Sequence, residues 1–180
     1  MEHSLQYEWT FWSTRTNVIK QVRSAEMWTQ KVANIYTVTS LEEFWSVFNN
    51  LKNPSQLPTR GDYFFFKKGI NPAWEDPVNA QGGAWQVTIP NPLSADDIWT
   101  DLLIALVGCQ FQEGMEEICG TALGSRKNGI RLAVWTKGTE AAKVVPLGNM
   151  LKREVVKTKE PLVFQKHLVE GTEGPLFTAE

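Results

Sequence analysis

Alternation of apolar and polar residues predicts several short strands along the chain. The first runs from Leu5 to Phe11, where every second residue is apolar as in a half-buried strand, and Trp12 breaks the period. Runs rich in β-branched and aromatic residues predict further strands at 33–38, 62–67, 84–89, 119–124, 130–136 and 162–168. Glycine, proline and asparagine clusters separate many of these runs, as expected for turns between strands.

Three other stretches carry apolar residues at helical spacing. The first opens with a Ser40-Leu41-Glu42-Glu43 capping box, and the second with Ser94-Ala95-Asp96-Asp97 at its start. The helices are predicted at residues 40–51, 94–108 and 141–152, the last with its regular part confined to one side of Pro146. The order of strands and helices predicts an α+β fold with an antiparallel sheet and helices on one face.

Turn signals suggest how some of the strands connect. Asn128-Gly129 favours a tight hairpin between the strands at 119–124 and 130–136. The strands at 62–67 and 84–89 flank a single loop, so they are predicted to be neighbours in a second hairpin. One domain is expected over residues 1–180, with a core at about 3–168 and a mobile tail at 169–180 rich in glycine and glutamate.

Composition is that of an ordinary globular chain. With 180 residues, 42% apolar and 21% charged, one domain can bury a stable core without disulfides or structural metal ions. No signal-peptide pattern opens the chain, and the apolar run from Leu102 to Cys109 is too short to span a bilayer, so a soluble intracellular protein without a membrane partner is expected. Two cysteines and two histidines predict neither a disulfide framework nor a metal site, and no cofactor is expected.

Charge and tryptophan content change this picture. The net charge of −2 argues against a general nucleic-acid binder. However, half of the 18 basic residues fall within 118–159, against the two acids Glu140 and Glu154: Arg126, Lys127, Arg131, Lys137, Lys143, Lys152, Arg153, Lys157 and Lys159. This run is either a solvated face or a site for a compact anion. Eight tryptophans are several times the usual number for a chain of this length, so some of them are expected to lie outside the core.

The segment Ile70-Asn71-Pro72-Ala73-Trp74-Glu75-Asp76 is the first candidate site. Pro72 and Pro77 restrict the backbone on both sides, which favours a loop with few accessible shapes. A flat cation could stack on Trp74 while its donor edge bonds to the Glu75 carboxylate, and guanine offers such an edge. A packed aromatic with a solvated neighbour is the competing interpretation. Trp28, in a long loop, is a second candidate.

Trp45 lies on the first predicted helix, off the centre of its apolar stripe. Phe44, Val47 and Phe48 already supply the buried face, so the Trp45 indole is expected to be an exposed anchor for a partner helix. A core position is the alternative for this residue.

Several motifs in order give the chain a recognisable family resemblance. They are Trp28, the Trp45 helix, Asn71-Pro72-Ala73-Trp74-Glu75-Asp76, Gly82-Gly83-Ala84-Trp85, Cys119-Gly120 and Ile130-Arg131-Leu132-Ala133-Val134-Trp135. With these residues and spacings, the sequence resembles eukaryotic translation initiation factor 4E from His3 to about His167. The resemblance implies a curved antiparallel sheet with about three helices packed on its convex face and a slot for the 7-methylguanosine cap of messenger RNA on its concave face.

The resemblance assigns roles on the concave face. It implies that Trp28 and Trp74 sandwich the methylated base, that Glu75 reads its N1 and N2 hydrogens, and that Trp135 lies beside the N7 methyl. Methylation at N7 leaves a delocalised positive charge on guanine, which favours two π-faces and an adjacent anion.

Basic residues at the hairpin are implied to hold the cap phosphates. Arg126 and Arg131 match positions of that kind, and Lys127 and Asn128 lie between them. Asn128 stands where the family usually has lysine, and Ala84 where it has arginine, which puts the strength of triphosphate binding in question.

On the convex face the resemblance implies a docking surface for a helical Tyr-x-x-x-x-Leu-φ motif. The implied contact residues are His3, Leu5, Leu41, Trp45, Thr100 and Asp101. Ser4 replaces a family proline and Thr100 a family leucine, so the choice of partner is open. The loop between Trp12 and Trp28 is longer than usual in the family.

The implied function is a non-catalytic, RNA-binding factor of protein biosynthesis in the cytoplasm, with the nucleus as a further location. It would recruit capped messenger RNA to the initiation machinery through a scaffold factor of the 4G type, or bind a 4E-binding protein. The alternative is a translational repressor or specialised paralogue that sequesters capped messenger RNA. A cap hydrolase lacks a carboxylate cluster for a metal, and a general single-strand RNA platform fits poorly with the acidic net charge.

Overall fold

An antiparallel sheet forms the frame of the molecule in the computed structural model, which describes residues 2–14, 32–167 and 174–180. Its strands are β1 (Ser4–Thr14), β2 (Val32–Ser40), β3 (Asp62–Lys67), β4 (Gly83–Ile89), β5 (Ile118–Arg126), β6 (Gly129–Thr136), β7 (Val163–Lys166) and β8 (Phe177–Thr178). In space they follow the order β2-β1-β3-β5-β6-β4-β7-β8, and every neighbouring pair is antiparallel. The predicted fold class is confirmed.

Four α-helices accompany the sheet in the described ranges. They are α1 (Leu41–Phe48), α2 (Pro92–Val107), the single-turn α3 (Gly114–Glu117) and α4 (Ala141–Met150), which continues as a π-helix over Leu151–Val156; a short 3₁₀ turn covers Pro54–Gln56. Within these ranges, no helix has the length and apolar character needed to cross a membrane.

The helix ends follow local capping chemistry. Ser40 Oγ accepts a hydrogen bond from the Glu43 amide at 3.3 Å, which confirms the predicted start of α1. The start predicted for α2 at Ser94 is wrong, because Asn91 caps this helix by accepting from the Leu93 amide at 3.1 Å. Pro92 then occupies the first helical position, where its missing amide hydrogen costs nothing.

Helix α4 runs straight through Pro146, so the prediction of a regular part on one side of the proline is wrong. The proline is exposed, while Val144, Leu147 and Leu151 are all at most 3% exposed. Burial of this apolar stripe outweighs the hydrogen bond that the proline removes.

The main core lies between the helices and one face of the sheet. Its buried members include Phe44 of α1, Trp99 of α2 and Val144 of α4, packed against sheet residues such as Trp9 and Trp85. A smaller cluster covers the opposite face, with Phe64, Phe66, Cys119 and Val32 buried and Trp12 and Trp135 partly buried around them. All helical members of the main core therefore lie on one side of the sheet.

Strands β3 and β4 are not neighbours, so the hairpin predicted for them is wrong. The β5–β6 hairpin lies between them, with β3 paired to β5 and β4 paired to β6. The tight turn at Asn128-Gly129 is confirmed, and Gly129 has a φ of 129°, which a side chain would strain. The loop at 68–82 therefore crosses over this hairpin from one strand to the other.

A mobile tail was predicted at 169–180, and the structure describes contacts for the last part of this segment. Phe177 and Thr178 form β8 and pair with β7, and Ala179 is buried against the main core. The Glu180 amide donates to Asn149 Oδ1 at 3.0 Å, which ties the end of the chain to α4. Residues 177–180 therefore contribute apolar contacts and backbone pairing to the edge of the sheet.

Candidate functional site

A cavity of about 450 Å³ opens on the face of the sheet away from the helices. Its wall combines aromatic, basic and amide side chains: Asp62, Phe64, Trp74, Ala84, Gln86, Ala122, Leu123, Gly124, Arg126, Arg131, Ala133, Trp135, Gln165, Lys166 and His167. Strands β3, β5, β6, β4 and β7 all contribute, because alternate residues of neighbouring strands point to the same face. The cavity thus has the size and mixed lining of a small-ligand site.

Trp74 enters the cavity from the crossing loop, which its own polar side chains brace. The Asp76 carboxylate accepts from the amides of Asn71 and Val78 at 2.9 and 3.0 Å. Asn79 is fully buried and its Nδ2 donates to the carbonyls of Asn71 and Ala73, both at 2.8 Å. These bonds span the turn and fix its backbone from within. The Trp74 side chain that this backbone carries is 50% exposed.

Trp135 forms the floor at one end together with His167. Their ring centroids are 4.1 Å apart, and the Trp135 ring also meets the edge of Phe66 at 5.4 Å. Burial lowers the pKa of His167 from 6.5 to about 4, so the imidazole is neutral at physiological pH. Within the described part of the chain, its Nε2 is buried without a hydrogen-bond partner.

Two arginines form the other end of the cavity. Arg131 Nη2 donates to Gln86 Oε1, and burial lowers the pKa of this guanidinium, helped by the nearby charge of Arg126. Arg126 pairs with Asp62 at 2.7 Å and donates to the Ser125 carbonyl at 2.9 Å. Gly124 makes room for the pair, because a Cβ there would overlap both side chains. The cavity is thus aromatic at one end and cationic at the other.

The sequence-predicted binding residues are distributed unevenly around this cavity. Trp74, Trp135, Arg126 and Arg131 line it together, and Glu75 is exposed beside Trp74 on the same loop. Trp28 and the long loop before it lie outside the described residues.

Lys127 and Asn128 are not part of the main cavity. They line a separate hollow of about 300 Å³ at the β5–β6 turn, which borders the main cavity through Arg126. Neither residue lines the aromatic end. A bound phosphate could contact them only if the ligand extended past Arg126.

Several residues of the site were not predicted from the sequence. Gln86, Gln165, Lys166 and His167 line the cavity, and Asn79 holds the loop above it. The period-two pattern contained a usable signal, since Gln86 lies two residues after Ala84 and Gln165 pairs with Ala84 across the sheet. Asn79 gave no such signal, because its role depends on how the loop folds back.

The helix side presents a second surface. Trp45 is 40% and Leu41 37% exposed, so the predicted exposure of Trp45 is confirmed. His3 donates from its amide to Glu42 Oε2 at 3.0 Å and its Nδ1 lies 2.7 Å from Glu42 Oε1. These bonds lower the pKa of Glu42 to about 2. The start of β1 is thereby held against α1.

The remaining predicted residues of this surface lie on β1 and α2. Leu5 packs against the main core, and Asp101 is exposed. The Thr100 hydroxyl donates to the Asp96 carbonyl at 2.8 Å, which satisfies it within the helix. Thr100 therefore offers a partner its methyl group more readily than its hydroxyl.

Metal and thiol chemistry have little support among these residues. Over 2–14, 32–167 and 174–180, no group of three or more His, Cys, Asp or Glu could hold a metal ion. Burial raises the pKa of Cys119 to about 12, which keeps its thiol protonated.

Comparison with known proteins places these features in a family context. The profile of the family described as "Eukaryotic initiation factor 4E" matches residues 4–175. Eukaryotic translation initiation factor 4E of Candida albicans is 34% identical over 179 residues, covering 96% of this chain and 83% of that protein.

Solved structures agree with this match over nearly the whole chain. Ascaris suum eIF4E-3 in complex with the m2,2,7G cap has a TM-score of 0.89 at 30% identity, covering 99% of this chain and 98% of that one. C. elegans eIF4E-3, in complex with the 4E-binding protein Mextli and a cap analog, has a TM-score of 0.84 at 31% identity and coverages of 93% and 94%.

Proposed function

The chain belongs to the eukaryotic initiation factor 4E family, and from this premise we propose that it binds the 7-methylguanosine cap of messenger RNA. The observation that carries the proposal is the single cavity in which Trp74 and Trp135 line one end and Arg126 and Arg131 the other. A cap has the same two-part character, since a flat cationic base is joined to a triphosphate.

The aromatic end suits a methylated guanine. A cation over the π-face of tryptophan is attracted by the ring quadrupole, so Trp74 favours the methylated base over the neutral one. Glu75, exposed on the same braced loop, supplies a carboxylate for the N1 and N2 hydrogens, and Trp28 is the proposed second ring of the sandwich. The neutral His167 matters here, because a protonated imidazole would repel a cationic base stacked beside it.

The basic end suits the triphosphate. Arg131 is held by Gln86 and Arg126 by Asp62, so both guanidinium groups are positioned before a ligand arrives. Preorganisation of this kind lowers the entropic cost of binding. Ala84, which pairs with Trp135 on the neighbouring strand, stands where the family usually has a third arginine, so we propose that Arg126 and Arg131 carry most of the phosphate affinity.

We also propose that the helix side binds a protein partner through Trp45 and Leu41. Solvent-exposed aromatics beside a helix groove are typical anchors for an amphipathic partner helix. The partner proposed is a scaffold initiation factor of the 4G type, or a 4E-binding protein, with a Tyr-x-x-x-x-Leu-φ helix. In this scheme the chain is not an enzyme and works in the cytoplasm as an adaptor between capped messenger RNA and the initiation machinery.

Titration of tryptophan fluorescence with 7-methyl-GTP and with GTP tests cap binding. The proposal expects quenching by the methylated nucleotide and at least about a tenfold weaker response to GTP, the ratio that 1.4 kcal/mol of cation–π and charge preference would give. Equal affinities would overturn it. Recovery of ribosomal initiation complexes with the bound capped messenger RNA would separate an initiation factor from a repressor, because only the former delivers the message.

A further inference from the structure

Gln86 lies between the aromatic and the basic end of the main cavity and lines its wall. Ala84 is paired with Trp135 at the aromatic end, and Gln86 follows two residues later on β4. Thr88, two residues further, is paired with Arg131 at the basic end. Alternate residues of a strand point to the same face, and two residues span about 7 Å. Gln86 is therefore half-way between the proposed positions of the base and of the phosphates.

The hydrogen bond between Gln86 and Arg131 fixes the direction of the amide. Because Arg131 is paired with Thr88, Gln86 is its diagonal neighbour, which two long side chains can span. A guanidinium has only donors, so the acceptor Oε1 of Gln86 faces Arg131. Its Nε2 is then turned away from Arg131, and within residues 2–14, 32–167 and 174–180 it bonds to no protein acceptor. Both hydrogens of this nitrogen are available to a ligand.

A neutral donor suits this position because the basic end already holds two like charges. Burial, and then the nearby charge of Arg126, lower the pKa of Arg131. An arginine at residue 84, as is usual in the family, would add a third positive charge to this repulsion. The Gln86 amide can donate to a phosphate oxygen without adding charge.

We propose that Gln86 is a further ligand-binding residue, whose Nε2 donates to the phosphate nearest the base of a bound cap. Its Oε1 meanwhile keeps Arg131 positioned for the phosphates beyond. The inference rests on the proposed cap binding and adds one residue to it. In a nucleotide a single ribose separates the base from the first phosphate, so a base held beside Trp135 brings that phosphate to the middle of the cavity. The first phosphate is thus bound by a neutral amide and the later ones by arginines.

Fluorescence titration with 7-methylguanosine, its 5′-monophosphate and 7-methyl-GTP tests this inference. Gln86→Met keeps the length of the side chain and removes both of its hydrogen bonds. Gln86→Lys keeps a donor for the phosphate and loses the acceptor for Arg131. Gln110→Met makes the same exchange at an exposed position outside the cavity and is the matched control. Thermal melting checks that each variant folds.

The expected result depends on the phosphate. Gln86→Met should bind the monophosphate about tenfold more weakly than the wild type, the scale of one hydrogen bond to a charged acceptor, and 7-methylguanosine within about twofold. Binding of 7-methyl-GTP should weaken at least as much, because Arg131 also loses its acceptor. The salt dependence of monophosphate binding should stay at the wild-type slope, since a neutral donor releases no counterions.

The other two variants have distinct expected results. Gln86→Lys should bind the monophosphate at least as tightly as the wild type, with a slope of log affinity against log salt that is steeper by about one. This variant also decides the question if Gln86→Met does not fold. Gln110→Met should match the wild type for all three ligands.

Failure of this inference can be told from failure of cap binding. If the wild-type chain binds none of the three ligands, the proposed cap binding fails and the role of Gln86 fails with it. If Gln86→Met weakens nucleoside and monophosphate equally, or changes neither, cap binding stands and Gln86 does not contact the phosphate. A flatter salt slope in Gln86→Met, or a Gln86→Lys variant as weak as Gln86→Met, would show that Gln86 acts only through Arg131. An equal loss in Gln110→Met would also contradict the inference.

Discussion

His167 couples the stability of the fold to pH. Its pKa in the folded chain is about 4, below the ordinary value of 6.5, so the unfolded chain binds more protons between these limits. The contribution of His167 to the free energy of unfolding is therefore fully present above pH 6.5 and is lost as the pH falls towards 4. We expect a loss on the order of 2 kcal/mol in the free energy of unfolding across this window, allowing for partial solvent contact.

Chemical denaturation at several pH values, for the wild type and for His167→Gln, measures this effect. The difference between the two proteins isolates the histidine from carboxylates such as Glu42, whose pKa of about 2 lies below the window. A wild-type slope that persists unchanged in His167→Gln would show that other groups produce it.

Glu75 is the residue whose predicted role is easiest to isolate. Glu75→Gln keeps the side-chain size but replaces an acceptor pair by an amide, so the N1 and N2 hydrogens of the base lose a charged partner. We expect cap affinity to fall by about 1.5 to 3 kcal/mol, measured by fluorescence titration with 7-methyl-GTP. Because Glu75 is exposed, the melting temperature of the Glu75→Gln variant should stay at the wild-type value. Unchanged affinity would contradict the base-reading role.

The loop that carries Trp74 illustrates what sequence can and cannot predict about one element. Pro72 and Pro77 indicated a restricted loop, and the structure has one. Its main braces, however, are the Asp76 and Asn79 side chains, which bond to backbone groups up to eight residues away. Such bonds depend on the path of the loop through space, which local propensity does not contain.

Asn79 should therefore matter for the loop although it is remote from any ligand. Asn79→Ala leaves the carbonyls of Asn71 and Ala73 without their donor, and we expect the free energy of unfolding to fall by about 2 kcal/mol. Asn50→Ala is the control, because Asn50 makes one exposed bond to Ser46 and should cost less than about 0.5 kcal/mol. Urea denaturation measures both. Equal, small effects would mean that the loop is held in another way.

Helix α1 should separate partner binding from cap binding. Trp45→Ala removes an exposed ring, so we expect partner-helix affinity to fall by about 2 kcal/mol or more while cap retention stays within a few-fold. Trp99→Ala is the contrasting variant, since this tryptophan is 2% exposed and its loss should cost about 3 to 5 kcal/mol of stability. Pull-downs with a partner peptide beside thermal melts measure the pair. A large drop in the melting temperature of Trp45→Ala would contradict the anchor role.

At the scale of the whole molecule, the pattern of the sequence identified most elements but not their neighbours. Seven of the eight strands were predicted with small boundary errors; β8, at Phe177 and Thr178, was too short to show a period. Strand pairing failed where it was not local: β3 and β4 follow each other along the chain, yet β5 and β6 separate them in space. Periodicity reports which face of a strand is buried and carries no information on its partner.

The crossing of the loop at 68–82 over the β5–β6 hairpin has a consequence for the order of folding. Strands β5 and β6 are joined by a tight turn, so their pairing is local and fast. Strands β3 and β4, in contrast, must find opposite edges of a hairpin that lies later in the chain. The loop that carries Trp74 is closed only after both have docked. A nascent chain released before β6 has emerged from the ribosome cannot yet hold a ligand at this loop. Retention on a cap resin would then report completed folding, and a misfolded or truncated chain would be unable to withhold messages from translation.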